Sequence, residues 1–372
     1  MKTIRFSITN LGGGGAEKIL INILKYLPSD KYHVSLFLFE KKGVYLEDIP
    51  KYVKLQYFMN PAKFTGYLQP LYDKLIRKIA FRMLMHYPRL VYKICGVQYF
   101  DIDVAFLQET TYLMKVANAH KKIAWLHTNI YHSPTFKNGL HENLLEVDKI
   151  ICVSGGVKQK LNVAFPDLKS RSQVIYNPTD ITLINNLSLS NNVQFYGKTI
   201  LAVGRLSVVK GFDILIRAIK LLFDRGYDYK LKIIGSGEEE HNLLTLILNL
   251  KLQTKVELLG FMDNPFSVVK AADLFVLSSR NEGLPGALLE ALCLGVPVVS
   301  TDCEVGPREI LQDGECGLLV PVGDVEKLAD GIELLMTDIE LREKFVAQGL
   351  KRAQDFDLPK IMTQIEALFD EI

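Results

Sequence analysis

The sequence predicts an α/β protein made of two Rossmann-like halves, in which parallel strands alternate with helices. Short apolar runs of strand length recur along the chain, separated by segments whose apolar residues follow helical spacing. This alternation is typical of parallel sheets built from strand–helix–strand units. The length of 372 residues favours two domains, and the alternation stops and restarts once, at residues 177–192.

The composition excludes several other classes of protein. A net charge of +2 gives no reason to expect a nucleic-acid partner. The five cysteines form no CxxC pair, which indicates a reduced, cytoplasmic chain with structural thiols. Thr3–Thr9 is too short for a signal peptide, and no apolar run reaches the roughly 18 residues that a membrane span requires.

The first half opens with a strand, a glycine turn and a helix. Ile4–Ile8 is the strand, Gly12–Gly15 the turn and Ala16–Tyr26 the helix. Glycines let a backbone approach a phosphate closely. The dinucleotide fingerprint is not met, because Glu17 or Lys18 stands where a third glycine is required. A flexible turn remains the alternative interpretation.

A basic and aromatic segment, residues 63–93, follows the third predicted strand. We predict that it forms a long amphipathic helix, and its composition suits an anionic membrane surface. An ordinary docked helix with a solvated basic face is the alternative. Four of its residues are candidates for acceptor or membrane contact: Lys74, Arg77, Lys78 and Arg82.

Two further features of the first half carry possible chemistry. Asp101 and Asp103 form a D-x-D motif, which we interpret as a turn before the strand Val104–Leu107 rather than a metal site. His127 follows the strand Lys122–Trp125, at the sheet edge where parallel sheets bind ligands. A hydrogen-bonded structural histidine is the alternative. The other predicted strands of this half are His33–Phe39, Val53–Tyr57, Ile150–Val153 and Val174–Tyr176.

Residues 177–192 have the composition of a linker, with Pro178, two Asn pairs and alternating Ser and Leu. We therefore place one domain at 1–178 and a second at 193–355. The second half restarts with the strand Lys198–Val203, a loop over 204–211 and the helix Phe212–Phe223.

Arg205 and Lys210 bracket this strand-to-helix loop, so both can converge on a diphosphate at the carboxyl edge of the sheet. Either residue alone would be an ordinary surface charge. The remaining predicted elements of the second half continue the same pattern: strands Lys230–Ile234, Lys255–Leu259, Val296–Ser300 and Gly317–Val320, and helices Val325–Thr337, Ile339–Arg352 and Leu358–Phe369.

The stretch 272–302 gives the strongest indication of function. It predicts the strand Asp273–Leu277, a polar loop and the buried helix Gly286–Leu294, which Glu290 alone interrupts with a charge. Glu282 lies just before the start of this helix, whose free N–H groups attract anions. A nucleotide-sugar fits this combination, since its phosphates suit the N–H groups and its hydroxyls suit the carboxylates. The alternative is an internal salt bridge for Glu290 and a solvated Glu282.

Four motifs together resemble a known family. They are GGGAEK at residues 13–18, VGRLSVVKG at 203–211, the E-x7-E pair inside NEGLPGALLEAL, and DGECGLLVPVGD at 313–324. With them the chain resembles the GT-B glycosyltransferases of the large retaining family 4, whose fold is two Rossmann-like domains facing across a cleft. The stretch TDCEVGPREIL is similar to the subgroup that builds bacterial surface glycans, often on polyprenyl-diphosphate acceptors.

The resemblance implies a role for each matching residue. Arg205 and Lys210 bind the donor diphosphate in place of a metal, so neither a metal nor a cofactor is expected. Glu290 accepts hydrogen bonds from ribose hydroxyls, and Glu282 holds the hydroxyls of the transferred sugar. His127 lies near the donor sugar.

Backbone groups complete the implied donor site. The N–H groups of Gly283 and Leu284 lie near donor oxygens, and Gly14 and Gly15 approach the diphosphate from the other domain. The family also implies that the terminal helix 358–372 packs back onto the first domain.

The implied function is retaining transfer of a hexose or N-acetylhexosamine from a UDP-sugar to a membrane-linked glycan acceptor. The enzyme would be cytoplasmic and peripheral on the inner face of the membrane. A soluble or protein acceptor is one alternative, and a nucleotide-sugar-binding subunit without turnover is another. The intact set Arg205, Lys210, Glu282 and Glu290 argues against the second alternative.

Overall fold

The computed structural model describes residues 1–12, 14–63, 72–87, 89–90, 93, 99–132 and 139–372. The chain divides into two compact units. The first comprises Met1–Pro178 together with Ile361–Ile372, and the second comprises Thr179–Lys360. The last residues of the chain therefore belong to the same unit as its first half.

Each strand predicted for the first half has a counterpart in the sheet of the first unit, but the fourth and the seventh begin earlier than predicted, at Phe100 and Ser172. Its strands are β1 Lys2–Ile8, β2 Tyr32–Glu40, β3 Lys54–Met59, β4 Phe100–Ala105, β5 Ala119–Leu126, β6 Lys149–Cys152 and β7 Ser172–Val174. They are parallel and run in the order β3-β2-β1-β4-β5-β6-β7. The order reverses between β1 and β4, which is where open sheets of this kind bind ligands.

The second unit repeats this plan. Its strands are β8 Thr199–Val203, β9 Lys230–Ile234, β10 Val256–Gly260, β11 Leu274–Leu277, β12 Val298–Thr301 and β13 Leu318–Val320. These parallel strands run in the order β10-β9-β8-β11-β12-β13, so the order reverses between β8 and β11. Because β8 and β11 are buried, they read as continuous apolar runs rather than alternating ones.

Helices connect the strands in both units. In the first they are α1 Gly15–Tyr26, α2 Arg77–His86, α3 Leu140–Leu145 and α4 Gly155–Ala164. In the second they are α5 Ile181–Ser188, α6 Phe212–Asp224, α7 Glu240–Asn249, α8 Phe266–Lys270, α9 Gly286–Cys293, α10 Pro307–Ile310, α11 Val325–Thr337 and α12 Ile339–Ala353. The last helix is α13 Leu358–Glu371.

Helix α13 begins in the second unit, and its residues from Ile361 onward belong to the first. Phe369 is fully buried and packs edge-on against Phe6, 6.0 Å between ring centroids, and against Tyr32 at the same distance. The Lys2 ammonium donates to the carbonyls of Phe369 and Ile372, both at 2.8 Å. A cation at the carbonyl end of a helix satisfies groups that the helix itself leaves unpaired.

A buried ion pair joins the two central strands of the first sheet. Arg5 on β1 and Asp103 on β4 lie opposite each other in the pairing register, and both side chains are fully buried. The Arg5 Nε donates to Asp103 Oδ1 at 3.1 Å, and a second contact makes the pair bidentate. The guanidinium also lies 5.1 Å from the centroid of the Phe100 ring.

The prediction that the D-x-D motif precedes its strand is wrong in position. Asp101 and Asp103 both lie within β4, because each carboxylate finds its partner on the neighbouring strand. Asp101 accepts hydrogen bonds from the Thr3 N–H and hydroxyl, both 2.8 Å long. The Thr3 backbone hydrogen bond also lowers the pKa of Asp101.

The segment 177–192, whose composition we interpret as that of a linker, contains a helix. Residues 181–188 form α5, and Asp180 caps its start by accepting a 2.8 Å hydrogen bond from the Leu183 N–H. Asn264 donates to the Leu187 carbonyl at 3.0 Å, which ties α5 to the second unit. The second unit accordingly begins at Thr179 rather than at residue 193.

In place of the long helix predicted over 63–93, the described residues of this segment form a π-helical turn and the shorter helix α2. Tyr72–Ile76 forms one π-helical turn that runs into α2. Residues 64–71, 88 and 91–92 of this segment, and the side chain of Lys74, lie outside the described part. Arg77 is held by the buried Glu40, with 3.0 Å between Nε and Oε1, whereas Lys78 and Arg82 are exposed.

Candidate active site

Two loops of the second unit emerge on either side of the point where its strand order reverses. One follows β8 and carries Arg205 and Lys210, and the other follows β11 and carries Glu282. Since β8 and β11 are adjacent and parallel, both loops leave the same edge of the sheet. This topology brings the two loops close together within one unit.

Lys210 and Glu282 are in contact. The Lys210 Nζ lies 2.7 Å from Glu282 Oε1, and the Ser279 hydroxyl donates to the same oxygen at 2.6 Å. Glu282 is 9% exposed and Lys210 is 26% exposed, so the pair is shielded but open on one side. A half-buried ammonium beside a carboxylate can receive a phosphate while the carboxylate turns toward hydroxyl groups.

Arg205 lies on the same loop but reaches outward. Its side chain is 77% exposed, and its Nε lies 3.8 Å from Glu238 Oε2. The backbone of this loop packs closely against Gly235. The φ of Gly235 is +144°, and an added Cβ there would overlap the Gly204 carbonyl oxygen. Arg205 is therefore an exposed cation on a closely packed backbone, and its side chain is accessible to a ligand.

Helix α9, which follows the loop that carries Glu282, is buried as predicted. The residues of α9 that face the core are Leu288, Leu289, Ala291, Leu292 and Cys293. Glu290 is half-buried on this helix, and Leu284 before it is 7% exposed. Burial, followed by the charge of Glu290, raises the pKa of the Cys293 thiol to about 12, so this cysteine stays a neutral core residue.

The first unit holds the remaining candidates. Gly14 is the residue before α1, in extended conformation, and Gly15 begins the helix; Gly13 lies outside the described residues. The Glu17 carboxylate lies so close over Gly14 that a Cβ there would overlap it. A negative group thus already occupies the start of this helix, as its dipole favours.

His127, directly after β5, is buried in the first unit. Its backbone N–H donates to Gln108 Oε1 at 3.2 Å, and its ring lies 4.7 Å from the Phe106 ring. Among the described residues, the buried Nε2 has no hydrogen-bond partner. Burial lowers the pKa of His127 to about 3, against a hydrogen bond with the Phe106 backbone, so the imidazole is neutral near pH 7.

This lowered pKa predicts a pH-dependent stability. Unfolded, His127 takes up a proton near about pH 6.5, whereas folded it does so only near pH 3. Its contribution to stability is therefore complete above about pH 6.5 and is lost as the pH falls toward 3. We expect the urea midpoint of His127→Gln to fall less with decreasing pH over this range than that of the unchanged protein. Unfolding is measured by the fluorescence of Trp125, the one tryptophan of the chain.

His120 provides the control, because it lies on the same strand but is exposed. His120→Gln should leave the pH dependence as in the unchanged protein. Equal flattening by both substitutions would contradict the assignment to His127.

Sequence reasoning missed several residues that shape the site. Ser279 contacts Glu282, and Ser278 and Arg280 beside it contact the loop after β8. Their signal was three consecutive polar residues directly after an apolar strand.

Comparison with known proteins identifies relatives of the whole chain. The family model described as "Glycosyl transferases group 1" matches residues 190–352. The N-acetylgalactosamine-N,N'-diacetylbacillosaminyl-diphospho-undecaprenol 4-alpha-N-acetylgalactosaminyltransferase of Campylobacter jejuni is 30% identical, over 97% of this chain and 97% of that protein. The GalNAc-alpha-(1->4)-GalNAc-alpha-(1->3)-diNAcBac-PP-undecaprenol alpha-1,4-N-acetyl-D-galactosaminyltransferase of the same species is 26% identical, over 100% of this chain and 99% of that protein.

Solved structures share the fold. HepE of Anabaena, in complex with UDP and glucose, superposes with a TM-score of 0.76 at 21% identity, covering 100% of both chains. The predicted fold class, α/β of the GT-B type with two Rossmann-like units, is confirmed.

Proposed function

The chain belongs to the glycosyl transferases group 1 family, and from this premise we propose that it is a retaining glycosyltransferase. It moves a hexose or N-acetylhexosamine from a UDP-sugar to a membrane-linked acceptor of the polyprenyl-diphosphate type, in surface-glycan biosynthesis. The observation that carries the proposal is the 2.7 Å contact between Lys210 and Glu282, which joins two loops at the reversal point of one sheet.

In this proposal the loops divide the donor between them. Lys210 and Arg205 bind the diphosphate and stabilise the charge that develops as UDP leaves, which is the part a metal takes in other transferases. Glu282 accepts from hydroxyls of the transferred sugar, with the N–H groups of Gly283 and Leu284 near the donor oxygens. Glu290 accepts from the ribose hydroxyls.

The chemistry proposed at this site needs no enzyme nucleophile. The bond from the anomeric carbon to the diphosphate oxygen breaks, and the acceptor hydroxyl attacks from the same face with retention. The departing phosphate oxygen is the base that lies on that face, so it receives the acceptor proton. For His127 and the turn at Gly14 and Gly15, the family resemblance is the support for a role toward the donor, and the neutral imidazole is suited to accept or donate one hydrogen bond.

The two Campylobacter jejuni relatives support a lipid-linked acceptor, since the names of both include undecaprenol joined through a diphosphate. Such an acceptor lies at a membrane surface, which would place this enzyme on the cytoplasmic face as a peripheral protein. No helix among the described residues has the length and hydropathy to cross a bilayer. Attachment would instead use α2 and the π-helical turn before it, where Lys78 and Arg82 are exposed beside the exposed Leu75 and Ile79.

Charge reversal on α2 tests this attachment. The pair Lys78→Glu and Arg82→Glu should weaken flotation with phosphatidylglycerol vesicles about 30-fold or more, since each basic residue near such a surface contributes about 1 kcal/mol. Arg77 is left in place because it is paired with Glu40. The pair Lys344→Glu and Lys351→Glu, exposed on α12, changes the net charge equally and should float as the unchanged protein does. Unaltered flotation of the α2 variant would refute the membrane contact.

The donor is tested by a panel of UDP- and GDP-sugars, with release of UDP or GDP measured with and without an undecaprenyl-diphosphate-linked glycan. Consumption of one UDP-sugar that depends on this acceptor supports the proposal. Transfer to a soluble glycan alone would replace the acceptor class, and nucleotide binding without turnover would make the chain a binding subunit.

A further inference from the structure

Three consecutive residues follow β11, namely Ser278, Ser279 and Arg280. Their side chains contact either the Glu282 carboxylate or the backbone of the turn that carries Lys210. The Ser278 hydroxyl donates to the Lys210 carbonyl at 2.9 Å. The Ser279 hydroxyl donates to Glu282 Oε1 at 2.6 Å. The Arg280 guanidinium donates to the Val208 carbonyl at 2.6 Å, two residues before Lys210.

Arg280 makes a second, stronger contact across the loops. Its two terminal nitrogens each lie 2.8 Å from one carboxylate oxygen of Asp213, in the first turn of α6. Its backbone N–H donates to the Val209 carbonyl at 2.7 Å. A bidentate arginine–carboxylate pair fixes orientation as well as distance, so the turn Val208–Lys210 is held at both of its ends.

The backbones of the two loops also touch. Gly211 has a φ of +64°, and a Cβ there would overlap the Ser278 carbonyl oxygen. On the opposite side, the Thr301 hydroxyl donates to the Ser279 carbonyl at 2.6 Å, and the Cys303 thiol donates to it at 3.1 Å. Ser279 is therefore anchored by Thr301 and Cys303, while its neighbours Ser278 and Arg280 hold the loop after β8.

We propose that Arg280, through its pairing with Asp213 and its contact with Val208, is a positioning residue that sets where the Lys210 ammonium meets the donor diphosphate. Arg280 does not itself bind the donor, because its guanidinium is already bidentate to a carboxylate. This inference rests on the proposed function of Lys210. A lysine side chain is flexible, so the place of its charge depends on how firmly its backbone is held.

The test compares Arg280→Met with Arg225→Met. Arg225 also pairs with two carboxylates of the same unit, Asp330 and Glu333, both at 2.9 Å, but lies at the far end of α6. Misplacement of a reacting group by about 1 Å can cost about 100-fold in rate. We therefore expect Arg280→Met to lower kcat for donor turnover by about 10- to 100-fold, and Arg225→Met to leave it unchanged while the two variants unfold at similar temperatures.

A double variant separates positioning from a role of its own. If Arg280 acts through Lys210, then Arg280→Met should change UDP affinity little when it is added to Lys210→Ala. If the two substitutions instead reduced UDP affinity independently, so that their effects multiplied in the double variant, the proposal would be overturned. A lowered unfolding temperature of Arg280→Met with normal turnover would also overturn it. Asp213→Asn, which removes the partner without changing its volume, should reproduce the loss in weaker form.

One readout needs no donor and so distinguishes this inference from the proposed function. The labelling rate of the Lys210 amine by an acylating reagent, measured by peptide mass mapping without nucleotide, reports how well its contact with Glu282 is held. It should rise in Arg280→Met and Asp213→Asn but not in Arg225→Met. If no sugar nucleotide is consumed by the unchanged protein, this rate alone decides, and equal rates in all variants would refute the positioning role.

Discussion

Lys210→Ala is expected to lower donor turnover by at least about 10²- to 10³-fold while the second unit stays folded, because loss of one charge-stabilising donor costs about that much. The ammonium lies 2.7 Å from Glu282 and is the inner cation of the loop after β8, whereas Arg205 is 77% exposed. In the proposed function, its removal leaves the exposed Arg205 as the remaining cation of this loop to face the charge that develops on UDP. The measurement is kcat with the best UDP-sugar of the panel, beside the thermal unfolding curve.

The matched control is Lys220→Ala, a half-buried residue on α6 that is paired with Asp224 one turn away. It removes an equal charge from the same unit and should keep normal turnover. Because Lys210→Ala leaves the Glu282 carboxylate without its counter-charge, some stability is lost as well, and adding Glu282→Gln should recover it. Normal turnover in Lys210→Ala would remove the diphosphate assignment and with it the proposed donor site.

The largest effect on stability is expected from the first unit. Asp103→Ala leaves the Arg5 guanidinium fully buried without its carboxylate, and breaking a buried pair in this way costs about 3–5 kcal/mol. We expect a urea midpoint lowered accordingly, followed by the fluorescence of the buried Trp125 on β5.

Two further variants test the cause. The pair Arg5→Met and Asp103→Leu removes both charges together and should restore most of the lost free energy of unfolding, since apolar residues of similar size replace buried pairs well. Asp101→Ala, two residues earlier on β4, loses hydrogen bonds to Thr3 at a partly exposed position. It should cost only about 1 kcal/mol. Equal losses at 101 and 103 would argue against the buried charge as the cause.

The strands and the loops of the candidate site were predictable because their signals are local. Apolar runs such as Leu274–Leu277 end in Gly- and Ser-containing loops, and parallel pairing brings the loops after β8 and β11 to one edge. The contact of Lys210 with Glu282 follows from that topology. The roles of Gly14, Gly15, Glu290 and His127 toward the donor remain predictions.

What could not be predicted depends on pairings between distant residues. Arg5 and Asp103 each sit alone between apolar neighbours in separate strands, and nothing local joins them. Their opposite charges at equivalent strand positions were the available signal. Arg280 and Asp213 are likewise joined only in the folded chain. Helix α5 was missed because the Thr, Asn and Ser residues at 181–188 have weak helix propensities, which its cap at Asp180 outweighs.

The first unit is discontinuous in the sequence, since residues 361–372 return to it after the second unit is complete. During synthesis on the ribosome, the first 178 residues emerge without the segment that covers Phe6 and Tyr32, and they wait while 182 more, Thr179–Lys360, are made. The second unit, which is continuous, can mature first. A fragment that ends at Pro178 would therefore expose the apolar surface around Phe6 and Tyr32. A circular permutant with 361–372 placed ahead of Met1 would have the covering segment from the start of synthesis.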